Sequence, residues 1–122
     1  MRALVVDDSL TIRRIVIKAL GLAGINETAE AGDGTEALNV ASQGDFDLVL
    51  LDWNMPKMSG IDTLKALRRA GRKTPVIMVT TEAEKSRVIE AIKCGANDYL
   101  IKPFTPDQLA AKVRNVLGAA TH

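Results

Sequence analysis

The 122 residues are 47% hydrophobic and 25% charged, enough apolar material for one globular core and too short a chain for a second folded domain. The 16 Lys and Arg balance 15 Asp and Glu to a formal net charge of +1 and are spread along the chain, so neither a basic tail nor a nucleic-acid stripe stands out. Only Ala3 to Val6 are apolar before Asp7-Asp8, too few for a secretory signal, and no run reaches the ~18 apolar residues of a membrane span.

Ala3 to Val6 reads as a strand. Ser9 is the N-cap of a helix over Leu10 to Leu22, with Ile12, Ile15, Val16, Ala19, Leu20 and Ala23 recurring at helical spacing. Glu27 to Ala31 is a more polar strand. Asp33-Gly34-Thr35-Glu36 then supplies an acidic cap with Glu three residues on, opening a helix to about Ser42. Asp47 to Leu51 is a strand, and Ser59-Gly60-Ile61-Asp62 starts a helix that carries Leu64, Leu67 and Ala70 on one face and ends at Gly71. Pro75 to Val79 is a strand apolar on both faces. Ala83 to Lys93 is a helix closed by Gly95; within its pattern Cys94, the single cysteine, is expected to be a buried free thiol in a reducing, cytoplasmic setting. Asp98 to Ile101 is a short strand, and Thr105-Pro106-Asp107-Gln108 combines a capping box with proline at the first helical position before the last helix.

Five strand and helix units alternate in this order, and strands that are apolar without interruption imply a parallel sheet covered by helices on both faces. Right-handed crossovers leave two small doubly wound α/β solutions, a Rossmann-like half and the flavodoxin-like order 2-1-3-4-5; five units favour the second. No internal repeat, low-complexity segment or linker interrupts the pattern.

Ligands of such sheets bind beyond the carboxyl ends of the strands, where the order reverses. Asp7-Asp8 follow the first strand, Asp52 the third, Thr80-Thr81 the fourth and Lys102-Pro103 the fifth. The first and third strands are neighbours at the reversal, so Asp7, Asp8 and Asp52 should converge. At about 4 Å and an effective dielectric near 20 each like-charged pair costs roughly 4 kcal/mol, so either one carboxyl is protonated or a cation sits among them. Oxygen ligands without His or Cys suit a hard cation, and a small, solvent-open site suits Mg2+. With a lysine and a hydroxyl beside it, the constellation suits phosphoryl chemistry. Taken singly, Asp7 and Asp8 read as solvated loop acids, Thr80 and Thr81 equally as helix caps, and Lys102 as a surface lysine. Their joint placement on one sheet edge carries the functional reading. Arg13-Arg14 reads as a solvated helix face, Trp53 as a neighbour of the site, and His122 has no assigned role.

The stretches LVVDDSLTIRRIV, LLDWNMPKMSG, PVIMVTTEAEK and GANDYLIKPFT resemble the receiver domain of two-component response regulators, in its single-domain chemotaxis branch, across residues 1–122 and with no effector domain. The resemblance implies that Asp52 accepts a phosphoryl group from a phosphohistidine of a sensor histidine kinase. It implies Mg2+ held directly by Asp8, Asp52 and the backbone carbonyl of Asn54, and by Asp7 through water. Lys102 would pair with a phosphoryl oxygen, Thr80 would turn its hydroxyl to the phosphoryl group, and Tyr99 would be an aromatic switch behind it. The Lys102-Pro103 bond would be cis. Asn54 and Glu82 stand where the family tunes hydrolysis of the acyl phosphate. Ala83, Lys85, Val88, Tyr99 and Lys112 match a surface that binds the flagellar motor switch, and the protein would be monomeric, cytoplasmic and without substrate turnover. A phosphorelay shuttle that hands the group to a histidine phosphotransfer protein is the alternative output. A haloacid-dehalogenase-type phosphatase would want a second aspartate where Ser9 stands, and a flavin mononucleotide carrier would want a phosphate cradle where Asp7-Asp8-Ser9 is acidic.

Overall fold

The computed structural model describes residues 1–120; Thr121 and His122 lie outside them. The elements are β1 (Arg2–Val6), α1 (Leu10–Leu22), β2 (Glu27–Ala31), α2 (Gly34–Ser42), β3 (Leu48–Leu51), α3 (Gly60–Arg69), β4 (Val76–Thr80), α4 (Lys85–Lys93), β5 (Asp98–Ile101) and α5 (Pro106–Ala120). The strands form one parallel sheet in the order β2-β1-β3-β4-β5, the flavodoxin-like solution. Successive strand residues point to opposite faces. Leu4, Val6, Val49, Leu51, Val76 and Met78 therefore pack with α2, α3 and α4. Their neighbours Ala3, Val5, Leu48, Leu50, Ile77 and Val79 pack with Val16, Ala19 and Leu20 of α1 and Leu109 and Val113 of α5. With both faces covered, no position along β1, β3 or β4 is left for a solvated side chain except Arg2, and each fully buried leucine contributes about 2 kcal/mol.

Local chemistry starts four of the helices as the sequence implies. The side chains of Ser9, Asp33 and Ser59 accept from the amides of Ile12, Glu36 and Asp62. Thr105 and Gln108 bond each other's backbone amides reciprocally at the head of α5, at 3.1 and 2.9 Å. Among the described residues no helix is long and apolar enough to cross a membrane.

Several boundaries and burials differ from the expectation. β1 begins at Arg2 and β3 only at Leu48, because Asp47 acts as a bracket: its amide donates to the Arg2 carbonyl and its carboxylate accepts from the Arg2 amide, both at 2.8 Å. β4 runs from Val76 to Thr80, one residue later than expected. Pro75 has no amide to enter the ladder, while the Thr80 carbonyl accepts from Lys102 N at 2.9 Å and so extends the strand. α4 starts at Lys85 and leaves Ala83 in the preceding loop; its N-cap, Glu84, makes no side-chain cap bond. The reason lies at Glu82, whose amide donates to the Thr80 hydroxyl and whose carbonyl accepts from the Tyr99 hydroxyl, so neither group is free to begin a helix. Ile15 is 39% exposed and Ala70 is exposed as well, both at the margins of stripes whose centres are Val16, Ala19 and Leu20 on α1 and Leu64 and Leu67 on α3. Cys94 is free but half-buried, because it is the C-cap residue of α4 and only edges onto the core.

Candidate functional site

Strand register assembles the site. Val6 lies opposite Leu51, so Asp7 and Asp52 leave the sheet side by side, and the Asp52 amide donates to the Val6 carbonyl at 3.0 Å. On the other flank Thr80 pairs with Ile101, which places Lys102 one step beyond the threonine. All four strand ends singled out in the sequence meet at one edge. Oxygens of Asp7, Asp8 and Asp52 lie within 4.8 Å of one another.

Lys102 is the cation that the structure itself supplies there. Its Nζ donates to Asp7 Oδ2 at 2.7 Å and to Asp52 Oδ2 at 3.3 Å, and the Lys102-Pro103 bond is cis. Lys102, which the resemblance pairs only with a phosphoryl oxygen, is thus already engaged, because the pair of buried carboxylates attracts the ammonium. Asp7 is 4% exposed; its Oδ1 accepts from the Ser9 amide at 2.9 Å and its backbone carbonyl from Arg13 Nη1 at 2.7 Å. Asp52 is 6% exposed, and its Oδ1 accepts from the Trp53 amide at 2.7 Å. Asp8 is exposed, and among the described residues no protein donor holds its carboxylate. Burial pushes the Asp52 carboxyl above its ordinary range; the Lys102 charge and the nearby Thr80 hydroxyl pull against that without cancelling it, and the charge of Asp7 adds to it. Burial lowers Lys102, but its bond to Asp7 and the charges of Asp52 and Asp7 outweigh that, and its proton is held more tightly than in a free lysine.

The loop after β3 is shaped by two constraints. Gly60 donates to the Trp53 carbonyl at 2.8 Å, and a Cβ at Gly60 would collide with the Asp52 carbonyl oxygen. Lys57 takes a left-handed φ of 67°, closing a γ-turn in which Met58 N donates to Pro56 O at 2.7 Å. Across the mouth, the Asn54 amide donates to Glu82 Oε1 at 3.1 Å. Thr80 is fully buried below Glu82, whereas Thr81 is exposed and lines a shallow apolar groove with Ile12, Ile15, Pro103 and Phe104.

The side chain of Trp53 is buried under Arg87, whose guanidinium carbon lies 5.3 Å from the indole centre. Tyr99, 9% exposed, is packed into the core with its hydroxyl donating to the Glu82 carbonyl at 2.7 Å. Arg13 is not on a solvated face: it is 17% exposed and pairs with Glu30 at 3.0 Å. Arg87 and Arg13 were not legible as site neighbours, since their partners lie far away in the chain and nothing in a helical pattern marks them.

The proposed partner surface is only partly assembled as expected. Ala83 and Lys85 are exposed and Val88 is half-buried at the start of α4, while Lys112 on α5 pairs with Asp98 at 2.9 Å. The Tyr99 ring is withdrawn from this face because its hydroxyl finds a partner inside. Exposed apolar side chains on α4 and β5 are instead Ile89, Ile92 and Ile101, exposed by 43%, 47% and 37%.

Residues 3–114 match the family model described as the response regulator receiver domain. The chain is 47% identical over 118 residues to the chemotaxis protein CheY of Pseudomonas aeruginosa, covering 95% of both chains. It is 45% identical over 121 residues to chemotaxis protein CheY1 of Helicobacter pylori, covering 97% of this chain and 98% of that protein. Among solved structures, the receiver domain of the Francisella response regulator 1452 superposes with a TM-score of 0.89 at 37% identity, over 99% of this chain and 98% of the other.

Two titrations test these electrostatics. A carboxyl raised by burial stabilises the fold while protonated and loses that contribution as pH rises through its folded-state value. Asp52→Asn, compared with the parent in the presence of a chelator, is therefore expected to melt higher at neutral pH, with the gain vanishing as pH falls below the carboxylate range; equal melting at both extremes would contradict the assignment. Burial, followed by the charges of Glu82 and Asp52, pushes the Tyr99 phenol up to about 12. As the single tyrosine it can be followed alone at 295 nm, and its ionisation should come about two units above that of the unfolded chain, whose phenol titrates near ~10. The stability Tyr99 provides is present below the unfolded value and lost as pH rises through the folded one.

Proposed function

The chain belongs to the response regulator receiver domain family, and from that membership we propose that it is a phosphorylation-switched chemotaxis regulator whose phosphoacceptor is Asp52. The observation that carries the reading is a buried Asp52 with one oxygen pinned by the Trp53 amide and the other beside Lys102, open toward an exposed Asp8. The donor would be a phosphohistidine of a sensor histidine kinase. An Asp52 oxygen forms the O–P bond as the N–P bond breaks, and the departing imidazole nitrogen takes up a proton from solvent.

The donor set fits Mg2+. As the receiver resemblance implies, Asp8 and Asp52, with the Asn54 carbonyl, would hold it directly, and Asp7 would reach it through water. When bound, the cation offsets negative charge on the phosphoryl oxygens. The protein's own residues supply the rest. Phosphorylation replaces about one negative charge at Asp52 by about two and adds acceptor oxygens, giving Lys102 a stronger partner than the carboxylate it now shares with Asp7. The Thr80 hydroxyl, now accepting from the Glu82 amide at 3.3 Å, is near enough to Asp52 to be recruited. Its turn would disturb the Glu82 segment that Tyr99 holds from below. That links charge at Asp52 to the start of α4, where Ala83, Lys85 and Val88 lie, and through Tyr99 to β5, whose Asp98 pairs with Lys112. The chemotaxis names of its relatives favour a motor output; in this reading the partner is a flagellar motor-switch protein, and the protein acts in the cytoplasm as a monomer and turns over no substrate.

Acetyl phosphate should add one phosphoryl group with Mg2+ and none without it, seen by intact mass, lost on hydroxylamine treatment and absent in Asp52→Asn. Hydroxylamine-resistant modification, or equal modification of the variant, moves the acceptor elsewhere. For output, protein carrying beryllofluoride on Asp52 should bind a motor-switch peptide more tightly than the unmodified form, and Lys85→Glu should weaken that contact by roughly 1 kcal/mol, about fivefold, without blocking phosphorylation. Equal binding by both forms, with ready transfer from Asp52 to a histidine phosphotransfer domain, would replace the motor reading by the phosphorelay one.

A further inference from the structure

The β1 ladder ends at Val6, and beyond it the Asp7 carbonyl faces away from any strand partner. Arg13, in the second turn of α1, satisfies it: Nη1 donates at 2.7 Å, while Nε of the same guanidinium donates at 3.0 Å to Glu30 on β2. One planar group thus ties the Asp7–Asp8 peptide to the neighbouring strand. The orientation of that peptide fixes the direction in which Asp8 leaves the backbone, and Asp8 is the acidic residue of the cluster that no side chain or amide holds among the described residues. Every other group of Asp7 is also anchored: its amide to Ala31 O at 3.1 Å, Oδ1 to Ser9 and Oδ2 to Lys102. The carbonyl bond from Arg13 completes that set on the side facing Asp8.

We propose that Arg13 is a positioning residue of the phosphorylation site, holding the Asp7–Asp8 peptide so that the Asp8 carboxylate is presented to the divalent cation. This rests on the receiver reading above. The competing account makes Arg13 an ion-pair partner of Glu30 that ties α1 to β2 and has no bearing on the cation. Charge alone makes the two separable by sign. A positive group near three carboxylates repels a second cation, so removing it should tighten cation binding if its charge were all that mattered. Removing a group that orients a ligand loosens binding, on the order of tenfold or more for outer residues of metal sites.

The experiment is a Mg2+ titration of the full chain followed by Trp53 fluorescence, together with hydrogen exchange of the Ser9 amide by NMR, in the parent, Arg13→Met, Arg13→Lys and Arg14→Met. Arg14 is exposed on the same helix and loses the same charge without touching Asp7. Arg13→Met is expected to weaken Mg2+ on the order of tenfold and to speed Ser9 exchange by a similar factor. Arg13→Lys, which keeps the charge but can reach only one of the two acceptors at a time, should fall between, and Arg14→Met should bind as the parent does or more tightly. Mg2+ affinity in Arg13→Met equal to or above that of the parent overturns the proposal. Should Arg13→Met not fold, Arg13→Lys with parental affinity and parental Ser9 exchange overturns it. If the parent itself takes up no Mg2+, the receiver reading fails at that point, and Ser9 exchange decides alone: acceleration in Arg13→Met upholds the clamp on the turn, and unchanged exchange removes it.

Discussion

One ammonium group shared by two buried carboxylates organises this molecule. Lys102 reaches Asp7 and Asp52 from the end of β5, the edge strand farthest from β2, and its bonds draw the loops after β1, β3 and β5 to a common point. Without it the sheet edge would bury two negative charges against each other, at roughly 4 kcal/mol for an effective dielectric near 20, a large share of the stability of an ordinary fold. The arrangement leaves the site acidic, because Asp8 remains uncompensated, yet keeps it from being repulsive enough to splay. It also sets the terms of any modification: a group added to Asp52 competes with Asp7 for a cation already in place, so the response begins as a redistribution of existing bonds.

The same geometry separates this site from the other chemistries its elements resemble. Ser9, which stands where a haloacid-dehalogenase phosphatase needs its second aspartate, spends its hydroxyl accepting from the Ile12 amide at 3.3 Å to start α1. The loop after β1, where a flavin mononucleotide carrier would bind phosphate, has its first acidic side chain turned onto its own Ser9 amide. Two of the amides at that helix start, those of Ser9 and Ile12, are taken up by side chains of the chain itself.

What the sequence disclosed follows the range of the interactions involved. Strand order was readable because uninterrupted apolar runs such as Leu48 to Leu51 require cover on both faces, and helix starts were readable at Ser9, Asp33, Ser59 and Thr105 because a cap acts across three residues. The convergence of Asp7, Asp8, Asp52, Thr80 and Lys102 followed from strand order alone. Long-range bonds set the remainder. The start of α4 depends on a Tyr99 hydroxyl 17 residues from Glu82, and the burial of Arg13 on a Glu30 carboxylate 17 residues away. Ile15 and Ala70 were placed inward because a helical stripe has no sharp margin, and the position of that margin is set by neighbouring elements. The prior occupation of Lys102 was missed for another reason: listing a lysine among the ligands of an absent group hides the partners it takes in the meantime.

The head of α4 differs from the other helix starts in having no side-chain cap, and its position is set from outside by Thr80, Tyr99 and the stack of Arg87 on Trp53. The supports contributed from outside the helix, Thr80, Trp53 and Tyr99, are buried, whereas residues such as Lys85, Ile89 and Ile92 are exposed. The groups that hold the helix head in place and the letters it shows to solvent are therefore written in separate parts of the chain. Drift in those exposed letters can proceed while the strand ends keep the same grammar, so the outer text of α4 is free to be rewritten without touching the site.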